Sequence, residues 1–177
     1  MPLSYKNLDD RTRALMLSEI QRDIEAGTLY LSENLTQQGS LEYPEMLKTA
    51  SKCGDDGTLA GALLKYLNSH EKPRQLKAGG LSKPPVMRSN AHEMLAEGEF
   101  NRFYIRALCA RAIEDDVNEV IVYRAKAVEN ARSASEELIG KRVAPGLLLQ
   151  DLRTHPGIDT ALGLPPGPNS GLSIYLP

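Results

Sequence analysis

The sequence predicts an α+β fold with a helical N-terminal part, a basic proline-rich arm, and a small mixed C-terminal domain in which a helix packs on a short sheet. Three observations predict it. Apolar residues recur at helical spacing through the first 69 positions and again after Glu97. The β-branched and aromatic run Val120, Ile121, Val122 and Tyr123 is apolar on both faces, as a strand covered on both sides would be. Between them NSHEKPRQLKAGGLSKPPVMRSN carries three prolines and a Gly79-Gly80 pair. The chain therefore divides into a helical subdomain at 1–69, an extended basic linker or arm at 70–92, and an α+β domain with an extended tail at 93–177.

Asn7, or one of the aspartates after it, is a candidate N-cap for a first helix running to Gly27, with Leu15, Met16, Ile20 and Ile24 as its apolar stripe. Such a helix is unstable alone in water, so the stripe must meet the rest of the fold or a neighbouring chain. Thr28 to Ser32 reads as a short strand or extended segment. Ser40, Glu42 and Pro44 open a second helix, Tyr43 to Ser51, and a third runs from Thr58 to Leu67 after the turn residues Gly54 to Gly57. Together they form a helical hairpin. The arm that follows is too poor in apolar residues to hold a shape alone, and is expected to gain one from an adjoining molecule.

Phe100, Phe103, Tyr104, Ala107, Leu108, Cys109, Ala112 and Ile113 predict an amphipathic helix over 95–114, with Glu99, Arg102 and Arg106 on another side. A strand over 118–126 follows. Ser133 and Glu136 have capping-box spacing ahead of a short helix that Gly140 ends. Pro145 to Arg153 reads as a helix with proline in its first turn. Leu172 to Leu176 is a final strand, paired with Val120 to Tyr123 or with an edge on a partner.

A thin aromatic share of 5% leaves a core built mostly of Leu, Ile, Val and Ala. The net charge of −2 offers no global attraction to nucleic acid or anionic lipid, so any such binding needs a local patch. Cys53 and Cys109 lack CxxC spacing and suggest no disulfide framework; Cys109 fits packing. The opening MPLSYKNLDD has no apolar signal region, and no window approaches ~18 apolar residues, so the chain reads as cytoplasmic in origin with no membrane partner. His70, His92 and His155 are scattered and read as surface or turn residues, and no HExxH spacing points to zinc. AGGLSK at 78–83 lacks the order of a phosphate loop, and GPNSG at 167–171 is not a nucleophile elbow. Asp115, Asp116 and Glu119 flank the strand where a metal-dependent nuclease would carry acids, but Glu-x-Lys is absent. No cofactor or metal site is expected.

The cations are the stronger signal. Lys72, Arg74, Lys77, Lys83 and Arg88 lie in the arm; Arg102, Arg106 and Arg111 on the long helix and Arg124, Lys126 and Arg132 after the strand could form one basic face. Such a face would touch phosphates, or acidic residues of a neighbouring subunit, where the planar guanidinium fork is favoured. The alternative is solvated charge and ion pairs within the chain, to Glu99, Glu129, Glu136 and Glu137.

FNRFYIRALCARAIED, VYRAKAVENARSASEELIG and the tail LGLPPGPNSGLS resemble a group of uncharacterised bacterial and prophage-encoded proteins, over most of the chain except 71–90. The resemblance transfers no activity and no functional residue. It implies a mobile-element setting, compatible with a virion or assembly component. The expected role is non-enzymatic: a structural or assembly subunit, such as a capsid-associated, connector or stabilising protein, whose partners are protein subunits in a homo- or hetero-oligomer. The alternative is a nucleic-acid-binding module or nuclease accessory using the arginines, and a third class is a small metal-dependent hydrolase.

Overall fold

The computed structural model describes residues 2–126, 133–156 and 171–177. Its architecture is α+β, a set of helices against a small antiparallel sheet. Helix α1 (Asp10–Ala26) starts where the Asp9 carboxylate accepts the Thr12 N–H at 2.9 Å and stops at Gly27, whose φ of 66° suits a residue without a Cβ. Residues 28–32 form no strand. Helix α2 (Gln37–Cys53) begins earlier than Tyr43 because Thr36 caps it, accepting from Gly39 N–H at 3.0 Å; Pro44 lies inside the helix and forgoes one backbone bond. Helix α3 (Asp56–Leu63) carries a reciprocal Asp55/Thr58 capping box and passes into a 3-10 turn, Leu64–Tyr66.

Helix α4 (Ala91–Glu114) starts ahead of the expected boundary at 95. Strand β1 (Val120–Arg124) is shorter than expected, and one-turn helix α5 (Ser133–Glu136), strand β2 (Arg142–Val143), helix α6 (Pro145–Thr154) and strand β3 (Leu172–Tyr175) follow. The sheet order is β2-β1-β3, with β1 antiparallel to both neighbours. The expected pairing of the last strand with β1 is present, in the register Ile121 to Tyr175 and Val122 to Ile174.

One hydrophobic core joins Met16 and Ile20 of α1, Leu47 of α2, Leu59 and Leu63 of α3, Phe100, Phe103 and Leu108 of α4, Leu148 and Leu152 of α6, and Val122 and Ile174 of the sheet. Residues from 1–69 and from 93–177 thus share one core, with α4 through its middle. Every residue from Glu99 to Cys109 is buried. A helix enclosed all round must satisfy its polar side chains internally, and three of them reach three different elements. Asn101 donates to the Leu172 carbonyl at 2.8 Å and accepts from the Ser173 hydroxyl at 2.6 Å, fixing β3. Arg102 donates to the His155 carbonyl at 2.9 Å, closing the end of α6. Arg106 holds α1.

The segment before α1 is a strap. Leu3 N–H donates to the Asp56 carboxylate at 3.1 Å and Ser4 N–H to the Ala125 carbonyl at 2.8 Å. The Tyr123 hydroxyl donates to the Ser4 carbonyl, and the Tyr5 ring lies 4.7 Å from that of Tyr104. Asn7 accepts the Leu176 N–H at 3.0 Å.

Candidate functional site

The arm contributes nothing to the core. It is a hairpin hydrogen-bonded to itself: Met87 N–H donates to the Ser69 carbonyl at 2.9 Å, Glu71 N–H to Pro85 at 2.8 Å, and Ser82 N–H to Arg74 at 2.8 Å. His70 bridges Val86 and Gln75 bridges Leu81, both antiparallel. The tip turns on Gly79 and Gly80, at φ of 87° and 84°, a region that favours glycine. This answers the expectation that the arm needs an adjoining molecule for its shape: its backbone is paired within the chain. Its side chains remain open. Every residue from Lys72 to Leu81 is exposed, and Leu76, Leu81 and Val86 are 48%, 65% and 73% accessible.

The expected basic residues separate into two groups. In the arm, Lys72 reaches Glu33 at 2.6 Å, and Arg74 and Arg88 flank Glu71 at 2.8 and 3.5 Å. Lys77 and Lys83 pair with no acid among the described residues. Outside the arm the cations are turned inward or onto acids of their own chain. Arg111 bonds Asp9 at 2.6 Å, Arg124 bonds Glu136 at 2.6 Å, Lys126 bonds Glu97, and Arg102 sits 3.4 Å from Glu99. Arg132 lies outside the described residues. The arginines of α4 therefore do not line up as one open basic face; Arg102 and Arg106 are buried.

Arg106 is 1% exposed and grips two carboxylates of α1. Its Nε donates to Glu19 at 2.8 Å, while Nη1 and Nη2 donate to the two oxygens of Asp23 at 2.6 and 2.8 Å, the planar fork that lysine cannot reproduce. Arg153 of α6 closes the cluster on Glu19. Burial raises the Glu19 carboxyl, and the Arg153 and Arg106 guanidiniums outweigh it and hold Glu19 below its ordinary value. These two acids and two bases balance, the exposed Arg22 lies 3.8 Å from Asp23 at the rim, and the cluster ties α1, α4 and α6 together.

A cleft of about 250 Å³ opens between the start of α3 and the start of α4, lined by Asp56, Gly57, Gly61, His92, Glu93 and Glu97 among others. A Cβ on Gly57 would strike Pro2 at 2.7 Å, so the glycine lets the strap lie close, whereas Gly61 faces open space. Burial, against the Leu3 N–H bond and with Glu97 and Asp55 nearby, pushes the Asp56 carboxyl up to about 6. The walls hold no serine, threonine or cysteine as nucleophile, and the volume is below the ~300–1,000 Å³ usual for small-molecule sites.

Asp115 pairs with Arg11 at 2.8 Å and Glu119 with Arg142 at 3.1 Å, so these acids point at different partners. Among the described residues no group of three His, Cys, Asp or Glu side chains is placed to hold a metal ion, and no helix is long and apolar enough to cross a membrane. Cys109 is packed at 0% exposure, and burial pushes its thiol well up. Of the motif GPNSG only Gly171 falls within the described residues. Comparison with protein families, curated proteins and solved structures finds no match. The features that the sequence concealed are the Glu19–Asp23–Arg106–Arg153 cluster and the buried Asp56; Glu19 and Asp23 at helical spacing on the apolar side of α1 was the available signal.

Proposed function

We propose that this chain is a structural or assembly subunit that works by protein contact, with the hairpin arm as its contact element. The observation that carries the reading is the exposed run from Lys72 to Leu81, which holds solvent-facing leucines beside cations on a self-bonded backbone. An isolated two-stranded hairpin is marginal in water, and apolar side chains at such a tip lower its free energy only when something covers them. The pairing of Arg102, Arg106, Arg111, Arg124 and Lys126 with acids or carbonyls of their own chain removes support from a phosphate-binding face built on α4 and the end of β1. A phage or prophage setting, and a virion location, rest on the resemblance of the three segments quoted above.

The test replaces residues 72–84 with a short Gly-Ser link. Because the arm lies outside the core, the shortened chain should melt within a few degrees of the parent and lose association with its protein partner in sedimentation. A parent chain that stays monomeric at high concentration and recovers no partner from its native source would overturn the proposal. Arm-dependent, salt-sensitive shift of labelled DNA or RNA would transfer the arm to the nucleic-acid reading.

A further inference from the structure

Resting on that contact role, we infer that the partner is a second copy of this chain, the basic hairpin of one molecule docking on the acidic body of another. The charge distribution favours this occupant. Five cations against the single acid Glu71 put residues 70–92 at +4, and with the whole chain at −2 the remainder carries −6. The two parts of one sequence are therefore oppositely charged, and opposite fields steer unlike surfaces of two copies together while arms repel arms. Within one molecule this attraction is spent only near the arm's base, where Lys72 meets Glu33; Lys77 and Lys83, on either side of the tip, meet no acid among the described residues.

The apolar content points the same way. Leu76 and Leu81 flank the Gly79-Gly80 turn and Val86 lies further down one strand, so the arm presents apolar anchors ringed by cations, the arrangement of a protein interface. Nucleic acid is a poorer fit, because residues 70–92 contain no Phe, Tyr or Trp on which a base could stack. Residues 70–88 number nineteen, close to the ~20–30 that one side of a standard interface uses.

The experiment mixes unlabelled chain with chain labelled in heavy nitrogen, couples amines to carboxylates with a zero-length carbodiimide at about 50 mM salt, and maps the cross-linked peptides by mass spectrometry. Mixed-isotope cross-links between Lys77 or Lys83 and carboxylates outside 70–92 are expected. The double variant Lys77→Glu, Lys83→Glu should weaken self-association in sedimentation by about tenfold or more without moving the melting temperature. Leu76→Ser with Leu81→Ser, which leaves charge unchanged, should also weaken it. Arm cross-links within single copies only, or self-association indifferent to the charge reversal, overturn the second-copy inference. A monomer whose arm binds a different protein overturns it too and leaves the contact role standing; a monomer that takes up no partner at all defeats both.

Discussion

Replacing Arg106 with methionine keeps the unbranched stem of the side chain and removes the guanidinium, with its charge, from a position that is 1% exposed. The change deletes the 2.8 Å bond to Glu19 and the paired bonds to Asp23, and turns a neutral cluster of two acids and two bases into one with an excess negative charge. Arg153 stays near Glu19, but Asp23 loses its buried counter-ion and keeps only the half-exposed Arg22, 3.8 Å away. Breaking a buried pair from one side costs about 3–5 kcal/mol, mainly because the surviving charge is stranded away from water. For a chain of this size that corresponds to a melting temperature lower by about 6–20 °C. Urea titration followed by circular dichroism at neutral pH measures the loss, with an unchanged slope as the sign that the denatured state is unaltered. Adding Glu19→Leu and Asp23→Leu to the same variant should restore most of it, since an apolar replacement of the whole set strands nothing, and Arg153, partly exposed, can turn to solvent. A single-variant loss below about 1 kcal/mol, the scale of an exposed pair, would refute the view that this cluster is a buried fastening.

Three further outcomes follow from the geometry. Asp56 titrates at about 6 in the fold against an ordinary 3.8, so the folded chain binds the extra proton between those values; its contribution is present below about pH 4 and is lost as pH rises through 6, a difference of about 3 kcal/mol. Asp56→Asn, whose amide oxygen can still accept from Leu3 N–H, should flatten stability against pH over that window and be the more stable form at pH 7.5; an unchanged slope in urea midpoints would contradict this. Gly39→Ala places a Cβ 2.8 Å from both the Cβ and the carbonyl oxygen of Tyr66, so the start of α2 or the 3-10 turn against it must shift, at roughly 1–3 kcal/mol in denaturant titration. Leu108→Ala empties a fully buried site on α4 and should cost about 2–5 kcal/mol, with a value under 1 arguing against close packing there.

Much of the fold was legible in the residues. The apolar recurrence along α1 and α4 and the two-faced run at Val120 to Tyr123 announced helix and strand because each period must bury a stripe, and the tail could be paired with β1 for the same reason. What failed was the orientation of α4. Arginine reads as solvent-facing until its partner is known, and the acids that draw Arg106 inward lie 87 and 83 positions away on α1, a separation that periodicity cannot see. Strand β2, two residues long, is too brief to leave a pattern. In the arm, the Gly79-Gly80 pair that marks an extended linker by composition is the turn of a hairpin, and the missing signal is the alternation of β-branched residues that usually marks such strands. The candidate site is legible only in part: the arm's cations stand out by composition, while the pairing that removes the other arginines from the surface belongs to tertiary structure.

The unbroken enclosure of α4 from Glu99 to Cys109 has a practical corollary. Amide protons in this run can trade with solvent deuterium only when the whole molecule opens, whereas those of the arm need no such event. Isotope uptake along the chain should therefore span the widest range this protein can show, and its slowest members would report total stability directly under native conditions, without denaturant or extrapolation.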